Sequence, residues 1–377
     1  MKVRIEVSSL ASKHQSGIAS YTRLLTEELS KTKDTEVHAH YFNFLGRQPR
    51  PDFSNLSVTV EENRQIPLRV YAKLQSHRKV LPFDTFLPQV DLTIFPNFAS
   101  WPTANSKLTA TTVHDLTYIY YPEYVESKNL AHLRRVVPHT VKSADIVLTV
   151  SNAVKQEIVQ EFGVDPSKVI VTHVPPDDMF KADVSQSSIT AVRKKYDIGT
   201  KKYIFFLGNF EPRKNLKTLI EAYTRLPSSM RAEYRLVLAG GKGWNAHETQ
   251  QALDIAVAEG ADIVHIGYVD AVDRPALYRA ASLFVFPSSY EGFGIPILEA
   301  MYSGCPVVAA DIPVLHETGG DAVLYAQPGD STRLSSAIQQ ALTKYPYTAE
   351  TMRKHAESFS WDTSIEAILS KAKQLLK

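Results

Sequence analysis

The sequence predicts an α/β protein made of two doubly wound parallel-sheet domains that face each other across a cleft. Short apolar runs rich in Val, Ile, Phe and Thr recur along the 377 residues, and helical stretches of about 10–15 residues separate them. Continuous apolar strands that alternate with helices are typical of parallel sheets covered on both faces. A double proline, Pro175-Pro176, and a polar stretch after it divide the strands into two similar series.

Each series follows the same order of strand, turn and helix. The first contains predicted strands at residues 3–7, 36–42, 91–95, 108–113 and 145–150. The second contains predicted strands at residues 203–207, 234–239, 262–266, 282–286, 306–309 and 322–325. Helices are predicted at residues 17–30, 130–142, 216–226, 249–259 and 296–302. We therefore expect domains at 1–176 and 177–360, and a C-terminal helix at 361–377.

Composition excludes several classes of protein. Forty-two Lys and Arg oppose forty Asp and Glu, so the net charge of +2 gives no general attraction for nucleic acid. The single cysteine, Cys305, cannot form an internal disulfide. There is no apolar run of about 18 residues that would span a bilayer, and the first residues have the alternating pattern of a strand rather than of a signal peptide. We expect a cytoplasmic protein.

Ligands of doubly wound folds bind outside the carboxyl ends of the strands, so functional residues are expected in the strand-to-helix turns. The turn from Gly208 to Asn215 carries Arg213 and Lys214 just before a predicted helix. Two cations beside the positive end of a helix favour a phosphate group. The alternative is a solvated basic pair that caps a turn.

A second turn, at residues 287–300, contains two glycines and two glutamates. Glu291 precedes the predicted helix and Glu299 lies about one turn inside it. Carboxylates accept hydrogen bonds from sugar hydroxyls, and free backbone amides at a helix start bind anions. The predicted amide donors are those of Phe293, Gly294 and Ile295.

Two further candidates lie in the N-terminal half. His114 follows a predicted strand, where it is either a catalytic or hydrogen-bonding residue or a structural histidine. Gly17 opens a helix whose first amides face the same predicted cleft, although a glycine here is often only part of a turn.

Metal and dinucleotide motifs are absent from the sequence. It contains no Asp-x-Asp, Cys-x-x-Cys or His-Glu-x-x-His pattern, and no Gly-x-Gly-x-x-Gly follows the first strand. The glycine-rich residues 240–243 lack the spacing of a phosphate-binding P-loop and are predicted to form a plain loop. We therefore expect no metal and no resident cofactor.

Taken together, these segments resemble the retaining glycosyltransferases of family 4, which have the GT-B fold of two Rossmann-like domains. The resemblance extends over nearly the whole chain, and the most specific elements are Arg213-Lys214 and the pair Glu291 and Glu299. It also includes Val150-Ser151-Asn152, Gly267-Tyr268-Val269, residues 303–309 and Phe359-Ser360-Trp361.

The resemblance implies a role for each candidate. The N-terminal domain would bind an acceptor and the C-terminal domain a nucleotide sugar, and the last helix would cross back to the first domain. Arg213 and Lys214 would hold the diphosphate, Glu299 the ribose and Glu291 the hexose. His114 would lie near the donor sugar and Gly17 near the diphosphate. Further donor contacts are implied for Gly208, Asn209, Tyr268, Val269, Gly292, Phe293, Gly294 and Ile295. Asn209 stands where many members carry an arginine, so one cationic contact is expected to be missing.

The implied activity is metal-independent, retaining transfer of a hexose to a glycan or lipid-linked acceptor. Mannose or glucose is favoured, with GDP-mannose as the donor. The alternatives are a GT-B epimerase or phosphorylase, or a non-catalytic protein that binds nucleotide sugars.

A basic stretch at residues 64–80 predicts peripheral contact with the inner membrane face. It carries no acidic residue, and Arg69, Lys73 and His77 recur at four-residue spacing beside a narrow apolar strip. The alternative is an ordinary helix that packs its apolar strip on the N-terminal sheet.

Overall fold

The protein is described by a computed structural model at residues 1–11, 17–65, 67, 70–71, 82–241, 243 and 245–377. The chain forms two compact units. Unit 1 comprises Met1–Ile119, Ser127–Val174 and Ser360–Lys377, and unit 2 comprises Tyr120–Glu126 and Pro175–Phe359. The main division falls within the predicted linker, and a short segment of the N-terminal half belongs to unit 2.

Unit 1 is built on a parallel sheet with the order β3-β2-β1-β4-β5-β6-β7. The order of the strands reverses between the adjacent strands β1 and β4, which makes this position the switch point of the sheet. Two strands escaped sequence prediction: β3 is a half-polar edge strand and β7 has three residues. The strands are β1 Lys2–Glu6, β2 Glu36–Phe42, β3 Val58–Asn63, β4 Val90–Phe95, β5 Ser106–Thr112, β6 Ile146–Thr149 and β7 Val169–Val171.

The described helices of unit 1 include the end of the chain. They are α1 Gly17–Lys31, α2 Thr117–Tyr120, α3 Ser127–Ser143, α4 Asn152–Phe162 and α14 Trp361–Leu375; the last residue of α2, Tyr120, already belongs to unit 2. Helix α14 lies against α1 and β7: the ring of Trp361 contacts that of Tyr21, and the Ser364 hydroxyl donates to the His173 carbonyl.

Unit 2 is built on a second parallel sheet, with the order β10-β9-β8-β11-β12-β13. The strands are β8 Lys202–Leu207, β9 Tyr234–Ala239, β10 Ile263–Gly267, β11 Leu283–Phe286, β12 Val307–Ala310 and β13 Leu324–Ala326. All six lie at the predicted positions, with ends that differ by one or two residues, because each strand is a largely buried apolar run. The switch point of this sheet lies between β8 and β11.

The described helices of unit 2 connect these strands. They are α5 Gln186–Lys195, α6 Leu216–Thr224, α7 Ser228–Glu233, α8 His247–Ala258, α9 Arg274–Ala280, α10 Ile295–Tyr302, α11 Pro313–Gly319, α12 Ser331–Thr343 and α13 Ala349–Ala356. The prediction of two doubly wound parallel-sheet units is confirmed by the two strand orders.

Within the described residues, no helix has the length and apolar character needed to cross a membrane. The basic stretch at residues 64–80 lies outside the described residues except at positions 64, 65, 67, 70 and 71, so the membrane contact stays a prediction.

Candidate active site

Arg213 and Lys214 lie in a short 3-10 turn, Pro212–Lys214, between β8 and α6. The turn ends at Asn215, whose left-handed φ of 54° redirects the chain into α6. The Asn215 side chain accepts a hydrogen bond from the Thr218 hydroxyl at 2.6 Å and donates one to the Pro287 carbonyl at 3.2 Å. Asn215 therefore ties the cationic turn to the end of the neighbouring strand β11.

Glu291, which follows β11, lies between the two cations. Its carboxylate accepts hydrogen bonds from the Arg213 guanidinium at 2.7 Å and from the Lys214 ammonium at 2.5 Å. Arg213 also pairs with Glu211 at 3.0 Å. The structure thus brings three predicted site residues together at the switch point of unit 2.

The charges of this cluster depend on one another. Burial alone would raise the pKa of Glu291, but Arg213 and Lys214 lower it to about 2. Burial and the neighbouring Arg213 lower the pKa of the Lys214 ammonium, and Glu291 opposes that shift. The Lys214 ammonium also lies 4.9 Å from the centre of the Phe286 ring, a cation–π contact. Glu291 is therefore an anion held by cations, and a bound diphosphate would share those cations with it.

The loop after Glu291 turns sharply into α10. Gly294 has a φ of 109°, and a Cβ there would lie 2.8 Å from a methyl group of Leu315. The Phe293 carbonyl accepts a hydrogen bond from the Thr318 hydroxyl, which fixes the loop against α11. Of the two glycines in this turn, Gly292 and Gly294, only Gly294 has a left-handed backbone. Because Ile295 begins α10, its amide has no acceptor within the helix.

Glu299 is buried in α10, and its surroundings differ from those of Glu291. It accepts a hydrogen bond from the Tyr278 hydroxyl at 2.8 Å. Burial raises the pKa of Glu299, and Arg274 and Tyr278 oppose this only in part. Both of these α9 residues were missed by sequence reasoning, although an Arg-Pro helix start with a tyrosine four residues later is a visible signal.

The predicted donor contacts Gly208 and Asn209 follow β8, and the loop that they begin packs against Gly240, Gly241 and Gly243. A Cβ at Gly240 would lie 1.9 Å from the Gly208 carbonyl oxygen, and one at Gly243 would lie 2.3 Å from the Phe210 carbonyl oxygen. The Phe210 amide donates to the Gly241 carbonyl at 3.1 Å. The described residues here form a loop, as predicted, and close approach of a second backbone explains the glycines at positions 240 and 243.

The next strand end contributes Tyr268 and Val269, which differ in accessibility. Tyr268 is 64% exposed and Val269 is 2% exposed. Only Tyr268 thus presents its side chain to solvent.

His114 and Gly17 belong to unit 1. The Nε2 atom of His114 donates to the Pro96 carbonyl at 2.8 Å, and the ring packs edge-on against Tyr21 with centroids 4.9 Å apart. Burial lowers the pKa of His114, so the ring is neutral. These contacts favour the structural alternative for His114, and its catalytic role stays a prediction. At Gly17, no atom lies within 4 Å of an added Cβ.

A tyrosine cluster that sequence analysis did not identify lies beside Glu291. The ring of Tyr290 contacts Tyr121 and Tyr120 with centroids 5.3 Å and 6.2 Å apart, and Tyr124 stacks on Tyr121 with an angle of 4° between the rings. These three partners come from the short segment of the N-terminal half that belongs to unit 2.

No group of three or more His, Cys, Asp or Glu side chains with metal-binding geometry occurs in the part of the chain that the structure describes.

Two family models match the chain. Residues 15–177 match the model described as "Glycosyltransferase Family 4", and residues 188–359 match "Glycosyl transferases group 1". Together they cover most of both units, and residues 1–14, 178–187 and 360–377 lie outside the matches.

Similar proteins include several bacterial mannosyltransferases. The chain is 36% identical to the O-antigen chain mannosyltransferase B of Escherichia coli over 256 residues, which are 67% of this chain and 66% of that protein. It is 29% identical to the O-antigen chain mannosyltransferase RfbU of Salmonella typhimurium over 81% of this chain and 79% of that protein. The match to the serotype-specific mannosyltransferase WbdA of Escherichia coli, at 27% identity, covers 71% of this chain but only 34% of WbdA.

Solved structures share the architecture over the whole chain. Sucrose-phosphate synthase from Thermosynechococcus elongatus superposes with a TM-score of 0.71 at 18% identity, covering 100% of this chain and 99% of that one. The Anabaena protein HepE, in complex with UDP-glucose, superposes with a TM-score of 0.68 at 18% identity and the same coverage.

Proposed function

Because the chain belongs to the family 4 glycosyltransferases of the GT-B fold, we propose that it transfers mannose from GDP-mannose to a hydroxyl group of a glycan acceptor. The observation that carries the proposal is the cluster of Arg213, Lys214 and Glu291 at the switch point of unit 2. Mannose is supported by the names of three relatives, each of which is a mannosyltransferase. Two of those names refer to O-antigen chains, which supports a polysaccharide or its lipid-linked precursor as the acceptor.

The chemistry requires stabilisation of a departing diphosphate. The bond between the sugar C1 and the diphosphate oxygen breaks, and a bond between C1 and the acceptor oxygen forms on the same face of the sugar. The acceptor proton passes to the leaving phosphate oxygen. Lys214 carries three N–H donors and gives one to Glu291, so others are available for phosphate oxygens. Each charge-assisted hydrogen bond there contributes about 1.5–3 kcal/mol.

Glu291 has two functions in this proposal. It keeps two cations close together before the donor binds, which reduces the reorganisation needed at the moment of reaction. Its carboxylate is also the group proposed to accept a hydrogen bond from a mannose hydroxyl. Glu299 is proposed to accept hydrogen bonds from the ribose of the nucleotide.

A donor screen tests the proposal. The protein is incubated with GDP-mannose, UDP-glucose or UDP-N-acetylglucosamine, with and without methyl α-mannobioside, and products are identified by mass spectrometry and NMR. We expect transfer from GDP-mannose and an α-linked product, which is the retained configuration. If only a UDP-sugar supports transfer, GDP-mannose is not the donor and the assignment changes to that UDP-sugar. A β-linked product would contradict retention.

The same screen separates the alternatives. Conversion of the nucleotide sugar to an epimer, or release of a sugar phosphate in the presence of inorganic phosphate, would indicate an epimerase or a phosphorylase. Donor binding without turnover would indicate a non-catalytic protein.

Peripheral membrane contact through residues 64–80 is a separate proposal for a lipid-linked acceptor. We expect co-sedimentation with anionic vesicles at low salt that is lost when Arg69, Lys73 and Arg78 are changed to Glu. Binding that these changes leave intact would contradict the proposal.

A further inference from the structure

In unit 1, the carboxyl group of Glu6 has no cationic partner among the described residues. Glu6 is the last residue of β1 and lies beside the switch point between β1 and β4. Its carboxyl group accepts a hydrogen bond from the Ser8 amide at 3.0 Å, and no Lys, Arg or His among the described residues forms an ion pair with it. The side chain is partly buried, and burial raises the pKa of Glu6 to about 7.

The charged groups on the same face of the sheet have partners of their own. Side chains at alternate positions of a strand share a face, which places Glu6 with Arg4. The Arg4 guanidinium donates to Glu61 at 2.8 Å and to the Pro88 carbonyl at 2.7 Å. His38 contacts Glu61 through Nδ1 at 2.9 Å. Arg4 and His38 therefore both pair with Glu61, and the Arg4 Nη1 atom, which has no hydrogen-bond partner among the described residues, lies 3.9 Å from Asp84.

The other neighbours do not neutralise Glu6. Asp84, on the segment packed over this face, accepts hydrogen bonds from the Ala104 and Asn105 amides at 2.6 Å and 3.0 Å. His40 pairs with Glu6 in the register of β1 and β2 and is fully buried against the Phe83 ring. Burial and the nearby Arg4 lower the pKa of His40 to about 3, so the ring is neutral. Neither ring nitrogen of His40 has a hydrogen-bond partner in the described part of the chain.

These observations specify the kind of group that Glu6 would bind. A partly buried carboxyl group that no cation among the described residues neutralises costs stability when it ionises, which is typical of a functional position. Its position at the carboxyl end of a strand beside a switch point is where ligands of such sheets bind. A carboxyl group in this environment repels anions, and its oxygens accept hydrogen bonds from neutral hydroxyl groups. Sugars carry several such groups.

We propose that Glu6 binds the acceptor glycan by accepting a hydrogen bond from one of its hydroxyl groups. This inference rests on the proposed function, because it assigns the acceptor of that reaction to the switch point of unit 1. Glu6 is thus an acceptor-binding residue that determines which glycans are used.

The test compares Glu6→Gln with Glu36→Gln in the full chain. Glu36 is the matched control because it lies on the adjacent strand β2, at the opposite edge of the same sheet, and is exposed. With GDP-mannose and methyl α-mannobioside, we expect Glu6→Gln to lower kcat/KM for the acceptor about tenfold, as for loss of one charge-assisted hydrogen bond. Hydrolysis of GDP-mannose without acceptor should stay within twofold of wild type, and Glu36→Gln should change neither rate.

Two further measurements distinguish acceptor binding from a structural role. At pH 8, Glu6→Gln should keep or raise the Tm, because it removes a buried charge, whereas a structural glutamate would lower the Tm when replaced. The acceptor KM of wild type should fall as pH rises through about 7, where Glu6 ionises, and that of Glu6→Gln should not show this step.

The outcomes separate the two proposals. If wild type transfers mannose and Glu6→Gln does so with equal kcat/KM, the role of Glu6 is overturned and the proposed function stands. If wild type uses no mannoside, the proposed function is overturned, and the acceptor role of Glu6 with it.

Discussion

Each of the two switch points holds a carboxyl group, and the pKa values of these two groups are shifted in opposite directions. In unit 2, Glu291 lies between Arg213 and Lys214, and these cations lower its pKa to about 2. In unit 1, no Lys, Arg or His in the described part of the chain pairs with Glu6, and burial raises its pKa to about 7. Glu291 follows β11, and Glu6 is the last residue of β1. Each of these strands lies where the strand order of its sheet reverses.

The difference shows that burial alone does not set the charge of a site. Desolvation acts on both carboxyl groups in the same direction, and only the presence of cations on the adjacent turn reverses it. Glu291 lies between the two cations that are proposed to bind a diphosphate, whereas Glu6 is proposed to meet a neutral hydroxyl group without a paired cation among the described residues. Removing these charges should therefore affect the two units differently.

The largest effect is expected from Lys214→Ala. This change leaves the buried Glu291 carboxylate with Arg213 alone, and breaking a buried ion pair costs about 3–5 kcal/mol. Turnover of the donor should fall about 100-fold or more. Arg213→Ala should lower turnover similarly but cost less stability, because the Arg213 side chain is 24% exposed and that of Lys214 only 10%.

Calorimetry with GDP and urea denaturation check this prediction. Lys217→Ala is the control, since Lys217 lies three residues further along the chain, in α6, and is exposed. The double change Lys214→Met with Glu291→Leu should recover stability but not activity. Unchanged GDP affinity in both Arg213→Ala and Lys214→Ala would contradict the phosphate assignment.

A second prediction concerns pH and has opposite signs in the two units. The lowered pKa of Glu291 stabilises the fold above about pH 4.5, and this contribution of about 3 kcal/mol is lost as pH falls towards 2. The raised pKa of Glu6 contributes a similar amount, about 3 kcal/mol, that is fully present below about pH 4.5 and is lost as pH rises through 7.

Free energies of unfolding for wild type, Glu291→Gln and Glu6→Gln between pH 3 and 8 provide the measurement. The difference between wild type and Glu6→Gln should change between pH 4.5 and 7. The difference between wild type and Glu291→Gln should change below pH 4.5. If the free energies of unfolding of the two variants have the same pH dependence, the pKa values of the two carboxyl groups are not shifted in opposite directions, and the prediction is contradicted.

A smaller effect is expected at Glu299. Glu299→Gln should weaken GDP binding about tenfold, because a neutral amide accepts hydrogen bonds from ribose hydroxyls less strongly than a carboxylate. Pyrophosphate binding should be unaffected. Tyr278→Phe is the matched variant, since it removes the hydrogen bond to Glu299 and leaves the ring. Equal loss of GDP and pyrophosphate binding would identify Glu299 as a structural residue.

The smallest effect is expected from a chelator. We predict that transfer from GDP-mannose persists in excess EDTA, because Arg213 and Lys214 are proposed to supply the positive charge at the diphosphate. Rates are compared before and after addition of EDTA, with Mg²⁺ or Mn²⁺ restored afterwards. A full loss that metal reverses would contradict metal-independent transfer.

Sequence reasoning located the turns of the site but not the contacts within it. Apolar runs predicted every strand of unit 2, and in parallel sheets the turns after such strands share one edge. Lys214 and Glu291 are 77 residues apart in the sequence, however. They meet because β8 and β11 are neighbours in the sheet, although two strands separate them along the chain. Strand order is a property of the whole fold, so the ion pair was not predictable from local pattern.

The same limit explains the partners that were missed. Tyr278 reaches Glu299 only because α9 packs beside α10, and the glycines at 240–243 matter only because another backbone approaches them. Strand β3 was missed because its sequence, Val-Thr-Val-Glu-Glu-Asn, is half polar, as suits an edge strand.

The division of the chain into units has a consequence for recombination between relatives. The chain passes from one unit to the other after Ile119, Glu126, Val174 and Phe359. A single crossover at the double proline would therefore pair Tyr121 and Tyr124 of one parent with Tyr290 of the other, and would separate α14 from its own Tyr21 and His173. A chimera that exchanges one unit intact must carry its small segment with it: Tyr120–Glu126 with the C-terminal half, and the last helix with the N-terminal half.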